Sequence, residues 1–214
     1  MKLLNASFPR RPWPTAKDQL FKEDSDWQRN AHLHLGGKDS GAYSAGYKNA
    51  ADLLARRFLR NWRGNDILVY PMVFLYRQFI ELRLKEIIEL GQGLLDEPVN
   101  IQPKILEDHK LLELWKPCRS ILEKIGEAGF WPKMPATKLD NVGRLVNEFH
   151  DVDPWGINFR YSKEKPSRGG RPTLPDLNRM GVRNLYRVMR RLDFFFTAQL
   201  DGIDYFLNES NGWS

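Results

Sequence analysis

The chain has 214 residues, 42% of them apolar and seven of them tryptophan, enough to fill a core and too many for a chain disordered throughout. Thirty-three basic residues stand against 27 acidic ones, a formal net charge of +6. Cys118 is the only cysteine, which excludes an internal disulfide and a cysteine-based zinc site, and no run approaches the ~18 apolar residues of a membrane span.

Residues 1–40 are rich in Pro, Gly and charge without a sustained period, and read as an irregular arm with Trp13 and Trp27 as its anchors. Its start, Met1-Lys2-Leu3-Leu4, gives way to Pro9-Arg10-Arg11-Pro12 before a signal-peptide core can form, so a cytoplasmic protein without a membrane partner is expected. Residues 41–214 read as one helical domain. A first helix is predicted over 40–62, with Tyr43, Tyr47, Ala50, Leu54, Phe58 and Trp62 on its inner face. A second, over 71–90, opens at Pro71 and carries Met72, Leu75, Tyr76, Phe79, Leu82 and Ile87. That density predicts the central, most buried helix.

A third helix over 108–127 repeats Leu111, Trp115, Cys118, Leu122 and Ile125, with Pro117 expected to bend or split it. A fourth covers 138–150, after which Asp153-Pro154-Trp155-Gly156 marks a turn and Ile157–Tyr161 an extended stretch. The last helix is expected from near Asp176, perpetuating a stripe of Met180, Leu185, Val188, Leu192 and Phe195. No segment alternates with period two long enough for a sheet. The fold expected is all-α, an antiparallel bundle of about five helices behind an irregular N-terminal arm.

Charge is concentrated late in the chain. Between Arg160 and Arg191 lie Arg160, Lys163, Lys165, Arg168, Arg171, Arg179, Arg183, Arg187, Arg190 and Arg191, opposed only by Glu164 and Asp176. Arg179, Arg183, Arg187 and Arg191 fall every fourth residue, which stacks guanidinium groups on one ridge of the last helix. Like charges at that spacing repel by a few tenths of a kcal/mol per pair, so the ridge is explained either by an external phosphate-bearing ligand such as RNA, or by carboxylates of neighbouring helices. Arg160 and Lys163 extend the same basic region.

Metal-independent RNA cleavage needs an imidazole to move the 2′-hydroxyl or leaving-group proton and a guanidinium to hold the phosphate. Two spacings admit such a pair: Arg29 with His34, four residues intervening, and Arg144 with His150, five intervening. On a continuous helix the second pair would point about 240° apart. Glu81 and Glu86, facing Arg77, Arg83 and Lys85, read as pairing within the bundle. Gly36-Gly37 and Gly169-Gly170 lack the strand of a phosphate-binding loop, and no His-Glu-x-x-His metal pair occurs. No metal or cofactor is expected.

The order of motifs carries a resemblance. Tyr70-Pro71-Met72-Val73-Phe74-Leu75-Tyr76-Arg77-Gln78-Phe79-Ile80-Glu81-Leu82-Arg83-Leu84-Lys85 precedes His109-Lys110-Leu111-Leu112-Glu113-Leu114-Trp115, then Glu148-Phe149, Asp153-Pro154 and Phe159-Arg160-Tyr161. Over roughly residues 66–165 this resembles a group of bacterial proteins similar to HEPN domains. The resemblance implies a small helical bundle, often a homodimer, linked to RNA cleavage, toxin–antitoxin pairs or defence against phage. Catalytic members carry an Arg-x(4–6)-His motif in a cleft between protomers. Glu81, Lys85, His109 and Tyr161 fall on recurring family positions, without a role assigned to them. Because neither Arg–His spacing sits where that motif belongs, the expectation is a module that binds RNA or a partner protein. An endoribonuclease and a purely structural scaffold are the alternatives.

Overall fold

In the computed structural model, whose described residues are 14, 16, 19–31, 33 and 40–211, the second helix is the axis of the bundle. This helix, α2 (Val69–Gln92), buries twelve residues and follows a short 3-10 turn at Asp66–Leu68. Around it lie α1 (Ser40–Arg60), α3 (Leu111–Glu127), α4 (Ala136–Val152) and α5 (Val182–Asn211). The described residues thus form an all-α bundle of five helices, with one isolated bridge, Lys163 to Pro172, outside them. No helix among them is long and apolar enough to cross a membrane.

Helix directions follow from the contacts. Asp52 meets Tyr76 while Lys48 lies 6.0 Å from the Phe79 ring, so α1 and α2 are antiparallel. Glu81 meets His109 just before α3, and a Cβ added at Gly91 would press on Ile121 late in α3, so α2 and α3 run the same way. Phe79 packs edge-on against Phe196 at 6.0 Å, and Gly91 faces Ile203, which sets α5 parallel to α2 as well. Arg119 bonds Asp140 while Trp115 sits under Gly143, making α3 and α4 antiparallel. Two helices therefore run against three. The α2–α3 connection, residues 93–110, travels back along the bundle and is tied down by Gln92, whose side chain exchanges two hydrogen bonds with the Val99 backbone, and by buried Leu94 and Ile105.

Four local expectations are corrected. The buried face of α1 is Ser44, Lys48, Ala51, Asp52 and Ala55, with the expected Tyr47, Leu54 and Phe58 half-buried against the core beside it, whereas Tyr43 is exposed and Trp62 lies exposed beyond the helix end. Small residues let α1 approach α2 closely, and Lys48 and Asp52 are buried because they satisfy each other and Tyr76, which periodicity of apolar residues cannot register. Residues 157–161 form a turn instead of an extended stretch. Asp153 accepts hydrogen bonds from the Ile157 and Asn158 N–H groups at 2.8 and 3.0 Å, and the Arg160 and Tyr161 N–H groups both close back on Ile157. The last helix starts at Val182, six residues late: the segment before it runs across the bundle, with Leu174 and Met180 packed on the core and buried Thr173 donating its hydroxyl to the Asn158 and Tyr161 carbonyls. Pro117 does not split α3, whose buried stripe continues on both sides of it from Leu114 and Trp115 to Cys118 and Ile121.

The chain divides into two units, Met1–Lys38 and Asp39–Ser214. Within the first, Asp26 caps a 3-10 turn at Trp27–Arg29, and Asp24 and Asn30 exchange two hydrogen bonds. Trp27, expected as an anchor, is 70% exposed, and Trp13 lies outside the described residues.

Candidate nucleic-acid interface

The residues that carry the family resemblance converge on a buried clamp. Arg77, fully inside the bundle, donates from Nη1 to Glu81 Oε2 at 3.0 Å, from Nε to the Asp153 carbonyl at 3.0 Å and from Nη2 to the His109 carbonyl at 2.6 Å. Glu81 Oε1 receives Lys85 Nζ at 3.0 Å and His109 Nδ1 at 2.7 Å. Burial works to raise the Glu81 pKa. The hydrogen bond from His109, the charge and hydrogen bond of Lys85 and the charge of Arg77 outweigh it, and hold the carboxyl below the usual carboxylate range. Gly156, at φ +69°, lies flat on the guanidinium: a Cβ there would stand 2.6 Å from Arg77 Nη1.

This clamp joins α2, the segment before α3 and the end of α4. The His109 side chain is 67% exposed beyond its Glu81 contact, but it lines none of the cavities described below. Tyr161 is exposed and stacks near Arg160 instead of joining the clamp.

Of the two Arg–His pairs, the one that lies wholly within the described residues, Arg144 with His150, does not form within the chain. Because α4 is continuous through Val152, Arg144 and His150 project from different sides, and Arg144 reaches Glu148 at 3.5 Å. His150 is half-buried, and its Nδ1 has no hydrogen-bond partner among the described residues. Arg29 pairs with Asp26 at 3.1 Å, while His34 lies outside the described residues. Among the described residues no group of three His, Cys, Asp or Glu could hold a metal.

The basic ridge takes a different form. Arg183, Arg187, Arg190 and Arg191 are exposed on the first half of α5, while Arg179 precedes the helix. None of the five pairs with a described carboxylate. Asp193 is the one acidic residue between Val182 and Leu200, and it turns away to Lys48, 3.2 Å from its Nζ. Lys48 in turn bonds Asp52 at 2.9 Å, and Asp52 accepts the Tyr76 hydroxyl at 2.7 Å. Clustered cations near a helix N-terminus oppose both one another and the macrodipole. The fold thus ties up the one acidic residue of this stretch of α5 and leaves the arginines facing water.

Arg179 also lines an open cavity of about 780 Å³ with Arg160, Tyr70, Tyr161, Asn158 and Ser162. The Arg160 guanidinium lies 5.4 Å from the Phe74 ring and 5.5 Å from the Tyr161 ring, contacts that fix a planar cation at the cavity wall. Lys163 is exposed nearby, in the strand-like bridge to Pro172. A second cavity, about 520 Å³, is apolar and lies between α4 and α5, with Arg144 and Glu148 among its lining residues and Phe159 common to both.

Sequence reasoning read Asp153 and Gly156 as a turn and missed their contact with Arg77, which lies 76 residues before Asp153. It also missed Phe194, an exposed phenyl on the arginine face. Continuing the spacing from Arg187 through Arg190 and Arg191 would have reached it. Compared with known proteins, the chain matches no family model, no curated protein and no solved structure.

Proposed function

We propose that this domain is an HEPN-like, non-catalytic module that binds RNA through the arginine face of α5. The observation that carries the reading is the row of exposed guanidinium groups without a described carboxylate partner, beside an aspartate withdrawn by Lys48. Phosphate is the ligand that relieves their mutual repulsion. The resemblance over residues 66–165 supports RNA over other polyanions. Binding is preferred to cleavage because Arg144 and His150 diverge on α4, and to a bare scaffold because the arginines are not neutralised from inside.

Filter retention of a labelled RNA oligonucleotide, in EDTA and across a salt series, tests this. Four phosphate contacts predict a log–log salt slope of roughly −3 for single-stranded RNA. The double charge reversal Arg183→Glu with Arg187→Glu should abolish retention at about 50 mM salt, and the RNA should stay intact throughout. Retention that ignores salt, or survives the double reversal unchanged, refutes the assignment.

A further inference from the structure

The row ends on a side chain that electrostatics does not explain. Phe194 is 78% exposed. It sits three residues after Arg191, four after Arg190 and seven after Arg187, on the same face of α5. Those four residues alone line an open groove of about 460 Å³. Three phenylalanines in succession sweep about 200° around a helix, and two of them serve the interior. Phe196 is fully buried against Phe79, and half-buried Phe195 packs edge-on to Phe196 at 5.4 Å. Phe194 is the third, turned outward among guanidinium groups.

We infer that Phe194 is a base-stacking platform, and that the ligand of the α5 face is a single strand with splayed bases. This rests on the RNA-binding reading and narrows its substrate class. A phenyl ring flanked by arginines offers a flat apolar face for a base and cations for the phosphates on either side. A duplex keeps its base faces stacked internally and can use only the cations. The groove therefore fits unpaired RNA, with tolerance for which base is stacked because every base has such a face.

The test compares a single-stranded oligonucleotide with a duplex of equal length, on the wild-type chain and on Phe194→Ala, Phe194→Trp and Arg183→Glu/Arg187→Glu. Circular dichroism confirms folding, which an exposed position should not disturb. Wild type should prefer the single strand. Phe194→Ala should lose about tenfold in single-strand affinity with the salt slope and duplex affinity unchanged. Phe194→Trp should restore binding and show fluorescence quenching by the bound base. If Phe194→Ala binds like wild type while the arginine reversal fails to bind, the stacking role is overturned and the RNA reading stands. If neither wild type nor any variant binds RNA, both fall. If Phe194→Ala instead converts a dimer to a monomer in sedimentation velocity, the ring belongs to an interface between copies, and the stacking role is again overturned.

Discussion

Replacing Gly156 by alanine should be among the most destabilising single-methyl additions in this protein. Two costs combine. At φ +69° a Cβ carries a backbone penalty of about 1–2 kcal/mol, reduced by the entropy the unfolded chain loses. The new methyl would also stand 2.6 Å from Arg77 Nη1 and 2.9 Å from Cζ, so the guanidinium must move. Arg77 has no free space to enter, since its three hydrogen bonds lock it to Glu81, Asp153 and His109. Losing one bond to a buried charge costs about 1.5–3 kcal/mol, which brings the total to roughly 2–4.5 kcal/mol after the entropic offset. Gly64 and Gly129 provide controls: both have positive φ, +71° and +84°, and open space where a Cβ would go. Their alanine variants should lose only about 1 kcal/mol. Urea unfolding followed by tryptophan fluorescence, with the m value checked for constancy, measures the difference. A Gly156→Ala variant no less stable than Gly129→Ala would show that Arg77 is not held as described.

Two further predictions concern pH. The Tyr76 hydroxyl pKa is pushed well above its ordinary value by burial first, then by its hydrogen bond to and the charge of Asp52. A folded-state pKa raised above the unfolded one gives stability that is complete below pH ~10 and lost above it, at about 1.4 kcal/mol per pH unit. In Tyr76→Phe that alkaline loss should vanish, at a cost of about 2 kcal/mol at neutral pH from the missing bond to Asp52; an unchanged alkaline slope in calorimetric scans would refute it. Glu81 is shifted the other way, so its contribution is present above the unfolded carboxylate pKa and disappears as pH falls through the lower folded value. Glu81→Gln should therefore be destabilised at pH 7, with the gap to wild type closing below about pH 4; a gap that stays constant through acid would contradict the ion pairing.

Much of the fold was legible where apolar periodicity dominates. The density of α2 announced the central helix, and the stripes of α3 and α4 placed both within a few residues. The failures share one cause: a buried polar group satisfied by a distant partner. Lys48 and Asp52 displaced Tyr43 from the inner face of α1 because their partners come from α2 and α5. Asp153 turned residues 157–161 because its carboxylate, beside Arg77, accepts the Ile157 and Asn158 N–H groups. Charge spacing located the arginine row, but Arg179 fell outside the helix that the spacing assumed. Glu81, Lys85 and His109 were singled out as motif positions, and the fold brings them together, Lys85 and His109 both bonding Glu81.

The loop carrying Phe159 and Arg160 leaves the arginine clamp within a few residues, since Asp153 both touches Arg77 and closes the turn that follows. A surface loop is ordinarily the first part of a domain to fluctuate. Here it is moored to the largest fully buried side chain of the bundle, so the cavity wall should exchange its amide protons no faster than the helices beneath it. Whatever docks against Arg160 would meet a surface already shaped before arrival, with little ordering left to be done on contact.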